Sequence, residues 1–198
     1  MIAAGAGVDR AGWVLVGGLS RRMGRDKAWL PFGSAGTLGQ NVARLVAAAA
    51  GTATLVGDPD RYRSLGYPVI PDLYPGQGPL GGILTALTHT PADWNLVAAC
   101  DMPGLTAEFL NKLLDTARQE AADVLLPVGP AGKPEVLCAV YRKRCLPRLE
   151  EGFSSGIRKV TLAVMRASTL RSVLYQFPEV SVFQNVNTPE EWSAHGAE

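Results

Sequence analysis

Four short apolar runs, each cut off by glycine, aspartate or proline, constrain this chain more than any other feature. They are residues 13–16 before Gly17, 53–56 before Gly57-Asp58-Pro59, 67–70 shortly before Asp72, and 94–100 before Asp101-Met102-Pro103. Runs this short and this apolar are the pattern of strands buried on both faces, as in a parallel sheet. Helix signals stand between them. Thr37-x-x-Gln40 is a capping box, followed at helical spacing by Leu38, Val42, Leu45, Val46 and Ala49 until Gly51. Gly78-Pro79 opens a second helix through Leu80, Ile83, Leu84 and Leu87, because proline suits a first turn that has no partner for its missing N–H. Thr106 caps a third, with Leu105 and Leu110 at staple positions and Phe109, Leu113, Leu114 and Ala117 on one face. Alternation of this kind predicts a three-layer α/β/α sandwich on a mostly parallel, Rossmann-like sheet.

The second half reads less regularly. Residues 124–126 form a strand, 127–134 a turn-rich loop, and 136–141 a further strand, antiparallel or at an edge. Residues 142–150 read as helical, although Pro147 argues against one unbroken run, and 152–155 read as a polar hinge. A helix over 156–165 carries Arg158 and Lys159, which either offer two cations to a substrate or lie solvated. The last strand, 180–183, ends at Gln184-Asn185-Val186-Asn187, before a Thr188-Pro189-Glu190-Glu191 helix start. Asn185 and Asn187 serve turn geometry or a ligand there.

With 198 residues, 47% of them hydrophobic, the chain fits one domain over 1–198, with 1–11 expected to be flexible. The formal charge of +1 gives no global field toward nucleic acid or membrane, so an anion site has to be local. Three cysteines without a C-x-x-C pair argue for reduced thiols and a cytoplasmic setting. No run approaches the roughly 18 apolar residues of a membrane span.

In open α/β sheets ligands sit beyond the carboxyl ends of the strands. The first such loop is Gly17-Gly18-Leu19-Ser20-Arg21-Arg22-Met23-Gly24-Arg25-Asp26-Lys27. Its glycines allow backbone N–H groups to approach a polyphosphate, and Arg21, Arg22, Arg25 and Lys27 add positive charge. Neither a Walker A loop nor a G-x-G-x-x-G fingerprint is present. The helix opened by Gly78 presents an N-terminus suited to an anion. Asp101 ends the most apolar strand and is either a loop residue before the next helix or a ligand for Mg²⁺ through its oxygens. Two histidines in no ligand pattern and the lack of a G-x-S-x-G elbow argue against hydrolase triads and His-rich metal sites. The remaining set suits nucleotidyl transfer: Lys27 stabilises charge on the transferred phosphoryl group, Asp101 holds Mg²⁺, and Arg21, Arg22 or Arg25 meets the β- and γ-phosphates.

From Leu15 to Lys27 the chain also matches L-x-G-G-x-S-x-R-M-G-x-D-K, which resembles the signature loop of molybdenum cofactor guanylyltransferases and their nucleotidyltransferase relatives. Gly78-Pro79-Leu80, Cys100-Asp101-Met102-Pro103 and Asn185-Val186-Asn187-Thr188-Pro189 extend the resemblance in the same order. It implies a nucleotidyltransferase-type sheet and transfer of GMP from GTP to the terminal phosphate of molybdopterin, or Mo-molybdopterin, with release of pyrophosphate. Leu15, Val16 and Gly17 would meet the nucleotide, Asp72 would help bind guanosine, and Asn185 and Asn187 would face the pterin. Hand-over to a molybdoenzyme or a cofactor-delivery protein is implied as well. Gly17-Gly18 looks like the guanylyl branch, the cytidylyl branch usually having Ala-Gly, whereas Gly57 departs from the polar residue often found there. The alternatives are a nucleotidyltransferase of the same fold using CTP or a sugar phosphate, and a non-catalytic nucleotide- or cofactor-binding module.

Overall fold

The computed structural model of the protein describes residues 9–17, 25–33, 36–129, 132–177, 182 and 192. Along the chain run β1 (Arg10–Leu15), α1 (Leu38–Ala50), β2 (Thr54–Val56), α2 (Pro59–Tyr62), β3 (Val69–Ile70), α3 (Pro79–His89), β4 (Trp94–Ala99), α4 (Ala107–Gln119), β5 (Val124–Val128), β6 (Cys138–Arg142), α5 (Leu146–Ser154), α6 (Val160–Arg166) and β7 (Ser172–Gln176). The seven strands form one sheet in the order β3-β2-β1-β4-β6-β5-β7. All pairings are parallel except those of β6, which runs against β4 and β5.

Alternation within the strands sorts the core into two layers. Val14 of β1, Leu96 and Ala98 of β4, Leu125 of β5 and Val140 of β6 pack toward α1 and α4. Trp13, Leu15, Val97, Val124, Leu126, Ala139 and Tyr141 face α3, α5 and α6 on the other side. Helices therefore cover both faces of the sheet, the expected three layers. Inside, the Trp13 indole donates to Asn95 Oδ1 at 3.0 Å, and the Asn95 amide donates to Ala92 and Asp93 carbonyls, so both buried polar groups are satisfied.

The cap signals in the sequence act as read. Thr37 and Gln40 form a reciprocal capping box, and Gly51 ends α1 in the left-handed region at φ 80°. Thr106 accepts from the Phe109 amide and starts α4. Other boundaries shift. β1 begins at Arg10, inside the stretch expected to be flexible, because residues 10–15 pair rung by rung with β4; residues 1–8 lie outside the described residues. β5 continues through Pro127. The Pro127 carbonyl accepts from Glu135 N, so its ring nitrogen faces the side where the β6 ladder has already ended at Leu125 and no ladder bond is lost. Pro147 sits in the first turn of α5, and that helix runs through the expected hinge to Ser154. The turn falls instead at Ser155-Gly156, with Gly156 at φ 91°, and α6 starts only at Val160. β7 stands where no strand is expected. It is an edge strand with four of its five residues exposed, so it lacks the apolar run that reveals the others. The strand expected at 180–183 lies outside the described residues except for Val182, which is buried.

Candidate functional site

From β1 the chain passes to β2 and β3 on one side and then returns to β4 on the other, so the strand order reverses between β1 and β4. That reversal is where a doubly wound sheet opens a crevice at its carboxyl end. A cleft of about 840 Å³ lies there, and Leu15, Val16, Gly17, Lys27, Asp72, Gly78 and Asp101 all line it.

Lys27 and Asp101 reach the cleft from the loops that follow the neighbouring strands β1 and β4. The Cys100 amide donates to the Leu15 carbonyl at 3.3 Å, a last contact between β1 and β4 that sets Asp101 one residue beyond it. Lys27 begins a short 3-10 turn, Lys27–Trp29. Its Nζ lies 2.8 Å from Asp101 Oδ2, with the two side chains 14% and 22% exposed. Burial of this degree strengthens the attraction relative to a surface pair, and each charge keeps access to the cleft.

Asp26 prepares the lysine's turn. Its Oδ1 accepts from Ala28 N at 3.1 Å, and its Oδ2 accepts from the Tyr62 hydroxyl at 2.8 Å and meets Arg61 Nε at 2.8 Å. Burial first, and then the hydrogen bond to the Asp26 carboxylate, raise the Tyr62 phenol well above its ordinary value, so it remains a donor. Burial and the neighbouring Asp101 charge likewise raise the Cys100 thiol, which makes it a neutral part of the wall and no nucleophile.

The opposite wall is built by Asp72 and α3. Asp72 Oδ1 accepts from Tyr74 N and lies 2.9 Å from the Thr85 hydroxyl, which also lies 2.9 Å from the Gly81 carbonyl and accepts from Leu73 N. The loop before α3 is thereby tied to the buried interior of the helix. Gly78 has φ 83° and ψ −178°, a conformation that only glycine enters without strain, and Pro79 follows at the first helical position. Gly82 admits β1 closely: a Cβ there would stand 3.1 Å from Leu15 Cδ2.

The other expected site residues fall elsewhere. Gly18, Arg21, Arg22, Asn185 and Asn187 lie outside the described residues. Arg25 is exposed and is not among the residues lining the cleft. Arg158 and Lys159 precede α6 and do not lie on its face. Arg158 is exposed; its Nη1 donates to the Phe153 and Ile157 carbonyls, its Nε donates to Gln77 Oε1, and it stacks over the Phe153 ring at 3.9 Å. Lys159 is exposed at the start of α6. Asp26, Arg61 and Tyr62 line the cleft without having been singled out from the sequence. The Asp58-Pro59 pair, an N-cap followed by proline, is the signal that would have placed α2 there.

Among the described residues no three His, Cys, Asp or Glu side chains gather in metal-binding proximity. A hard cation at Asp101 would complete its shell with ligand phosphates and water, as Mg²⁺ ordinarily does, and the donor set fits that mode.

A switch-point cleft walled by glycine backbone and holding one ammonium against one carboxylate defines an α/β nucleotide-binding enzyme. The MobA-like NTP transferase domain model matches residues 12–171, and the chain belongs to that family of nucleotidyltransferases. A probable molybdenum cofactor guanylyltransferase of Clostridium perfringens is 30% identical over 197 residues, covering 93% of this chain and 95% of that protein. One from Mycobacterium bovis, named in the same words, is 37% identical over 172 residues, covering 84% and 85%. The crystal structure of molybdopterin-guanine dinucleotide biosynthesis protein A from Archaeoglobus fulgidus has TM-score 0.78 at 29% identity, covering 93% of this chain and 96% of that one.

Proposed function

We propose that this protein transfers the GMP moiety of GTP to the terminal phosphate of molybdopterin or Mo-molybdopterin, forming molybdopterin guanine dinucleotide and pyrophosphate. The observation that carries this reading is the Lys27–Asp101 pair, 2.8 Å apart inside one cleft, with Asp101 just beyond β4 and Lys27 at the start of the 3-10 turn that follows the loop after β1. The relatives' names supply the substrates.

In this reaction a phosphate oxygen of the acceptor attacks the α-phosphorus. A new P–O bond forms while the bond from that phosphorus to the bridging oxygen breaks, and its electron pair leaves with pyrophosphate. No protein nucleophile is required, so alignment and charge neutralisation do the catalytic work. Lys27 stabilises the negative charge on the transferred phosphoryl group. Asp101 would hold Mg²⁺, which would supply neutralisation of the phosphate charge. Leu15, Val16 and Gly17 pass close to the nucleotide by backbone, Asp72 and the Gly78 turn receive the guanosine, and Arg21, Arg22 or Arg25 meets the β- and γ-phosphates. Asn185 and Asn187 face the pterin, and Arg158 and Lys159 are the two cations offered to it.

The whole chain, 1–198, acts as one nucleotidyltransferase unit. Cytoplasmic work is supported by three buried cysteines, all of them free thiols. Among the described residues no helix is long and apolar enough to cross a membrane. A molybdoenzyme or a delivery protein receives the product.

The test is pyrophosphate release in the presence of Mg²⁺ and molybdopterin, with GTP and with CTP in separate reactions. Release with GTP is expected. Release with CTP alone moves the protein to a cytidylyl reaction, and binding of GTP without any release makes it a binding module.

A further inference from the structure

Asp26 is buried, charged and unused in the reaction outlined above. Its side chain is 8% exposed, and three donors converge on it: Ala28 N at 3.1 Å, the Tyr62 hydroxyl at 2.8 Å and Arg61 Nε at 2.8 Å. Both carboxylate oxygens are thus engaged by the protein, the arrangement that a buried carboxylate requires. Two of the donors belong to α2, and the third belongs to the turn that starts with Lys27.

The anchor on α2 is firm. Tyr62 is 2% exposed, and its ring packs so closely under the β2–α2 loop that a Cβ at Gly57 would stand 3.0 Å from it. Lysine, by contrast, reaches its target on a flexible four-carbon stem. Where such a side chain must sit within a fraction of an ångström, its backbone has to be fixed by a supporting layer.

We propose that Asp26 is a positioning residue for Lys27: it fastens the Lys27–Trp29 turn to α2 through Tyr62 and Arg61, and so sets where the ammonium enters the cleft. The inference rests on Lys27 acting in nucleotidyl transfer.

Turnover and thermal melting of Asp26→Asn, Lys27→Met and the double variant test it, with kcat and KM for GTP measured separately. Asp26→Asn is expected to lower kcat about 10–100-fold, the scale of a misplacement near 1 Å, with KM within about threefold. In the Lys27→Met background the same change is expected to cost less than about twofold, because the group it positions is gone. Tyr62→Phe keeps the ring and removes one donor; a drop in kcat of about 3–10-fold, again absent beside Lys27→Met, is expected. It carries the same cycle should Asp26→Asn fail to fold. Equal losses in both backgrounds, a change confined to KM, or no loss at all overturns the positioning role while leaving transfer intact. A wild-type protein that turns over no nucleoside triphosphate overturns the transfer reading, and the inference with it.

Discussion

The two ends of the sheet use the same residue types for opposite purposes. At the amino ends of the parallel strands, Asp93 meets Arg142, Asp123 meets Arg144, and Lys143 donates to the Thr90 carbonyl at 2.7 Å. Asp123, 7% exposed, also accepts from Arg171 N at 2.9 Å, which ties β5 to β7 at their shared start. These charges clasp backbone, and they spend their hydrogen bonds on the fold. At the carboxyl ends Asp101 and Lys27 pair with each other at 2.8 Å on the wall of a cleft large enough for a nucleotide. A strand-end carboxylate therefore does not announce its role by burial. What separates Asp123 from Asp101 is whether its partners are backbone and structural arginines or a cation poised over open space.

Replacing each aspartate gives the largest contrast. Asp101→Ala is expected to lower the rate of pyrophosphate release by about 10²–10³ or more, with the melting temperature changed little. Asp123→Ala is expected to cost about 2 kcal/mol of stability, since it leaves a backbone N–H and an arginine without their acceptor, while activity per folded molecule stays unchanged. Urea unfolding and turnover measured on both variants check this. Parallel losses of stability and rate in each would erase the distinction between the two ends.

Two glycines on the first strand and its loop offer the same chemical change at either end. A Cβ at Gly12 would stand 2.3 Å from the Thr52 carbonyl oxygen and from Val46 Cγ1, so Gly12→Ala is expected to destabilise by about 2 kcal/mol through overpacking. Among the described residues a Cβ at Gly17 would meet nothing nearer than 3.9 Å. Gly17→Ala should leave stability within about 0.5 kcal/mol, and it should raise KM for GTP about 3–10-fold by narrowing the nucleotide's approach. Calorimetry and GTP titration separate the two.

Alkaline pH acts on both ends together. Burial pushes the Cys145 thiol from its ordinary 9.0 up to about 12, and burial raises Cys100 and Cys138 further. These acids are neutral in the fold, so the folded protein holds more protons than the unfolded chain above pH 9. Stability is fully present below that value and declines as pH rises toward 12, by about 1.4 kcal/mol per pH unit for each thiol. Urea midpoints at pH 8, 9 and 10 should fall in that order, and the Cys145→Ser variant should show a shallower decline.

Much of the fold was legible because its signals are local. Thr37 with Gln40, Gly51, Pro79 and Thr106 each fix a helix end by chemistry within four residues. The cleft's chief pair was legible for a different reason: Lys27 and Asp101 both follow apolar strands, and strand-end loops of a parallel sheet converge. That they touch at 2.8 Å was not. Nor was the Asp26 anchor, because its partner Tyr62 stands 36 residues away and no periodicity links them. β7 escaped because edge strands are half-solvated, and the contacts of Arg158 with the Phe153 and Ile157 carbonyls were not legible because Gly156 turns the chain and α6 starts only at Val160.

The most direct test follows the α-phosphate. GTP labelled at that position is incubated with the protein, Mg²⁺ and molybdopterin, and the label is located at the end of the reaction. Label joined to the pterin, with one pyrophosphate released for each transfer, is the predicted result. Label remaining in GTP, or appearing as free GMP with the pterin unmodified, would contradict the account.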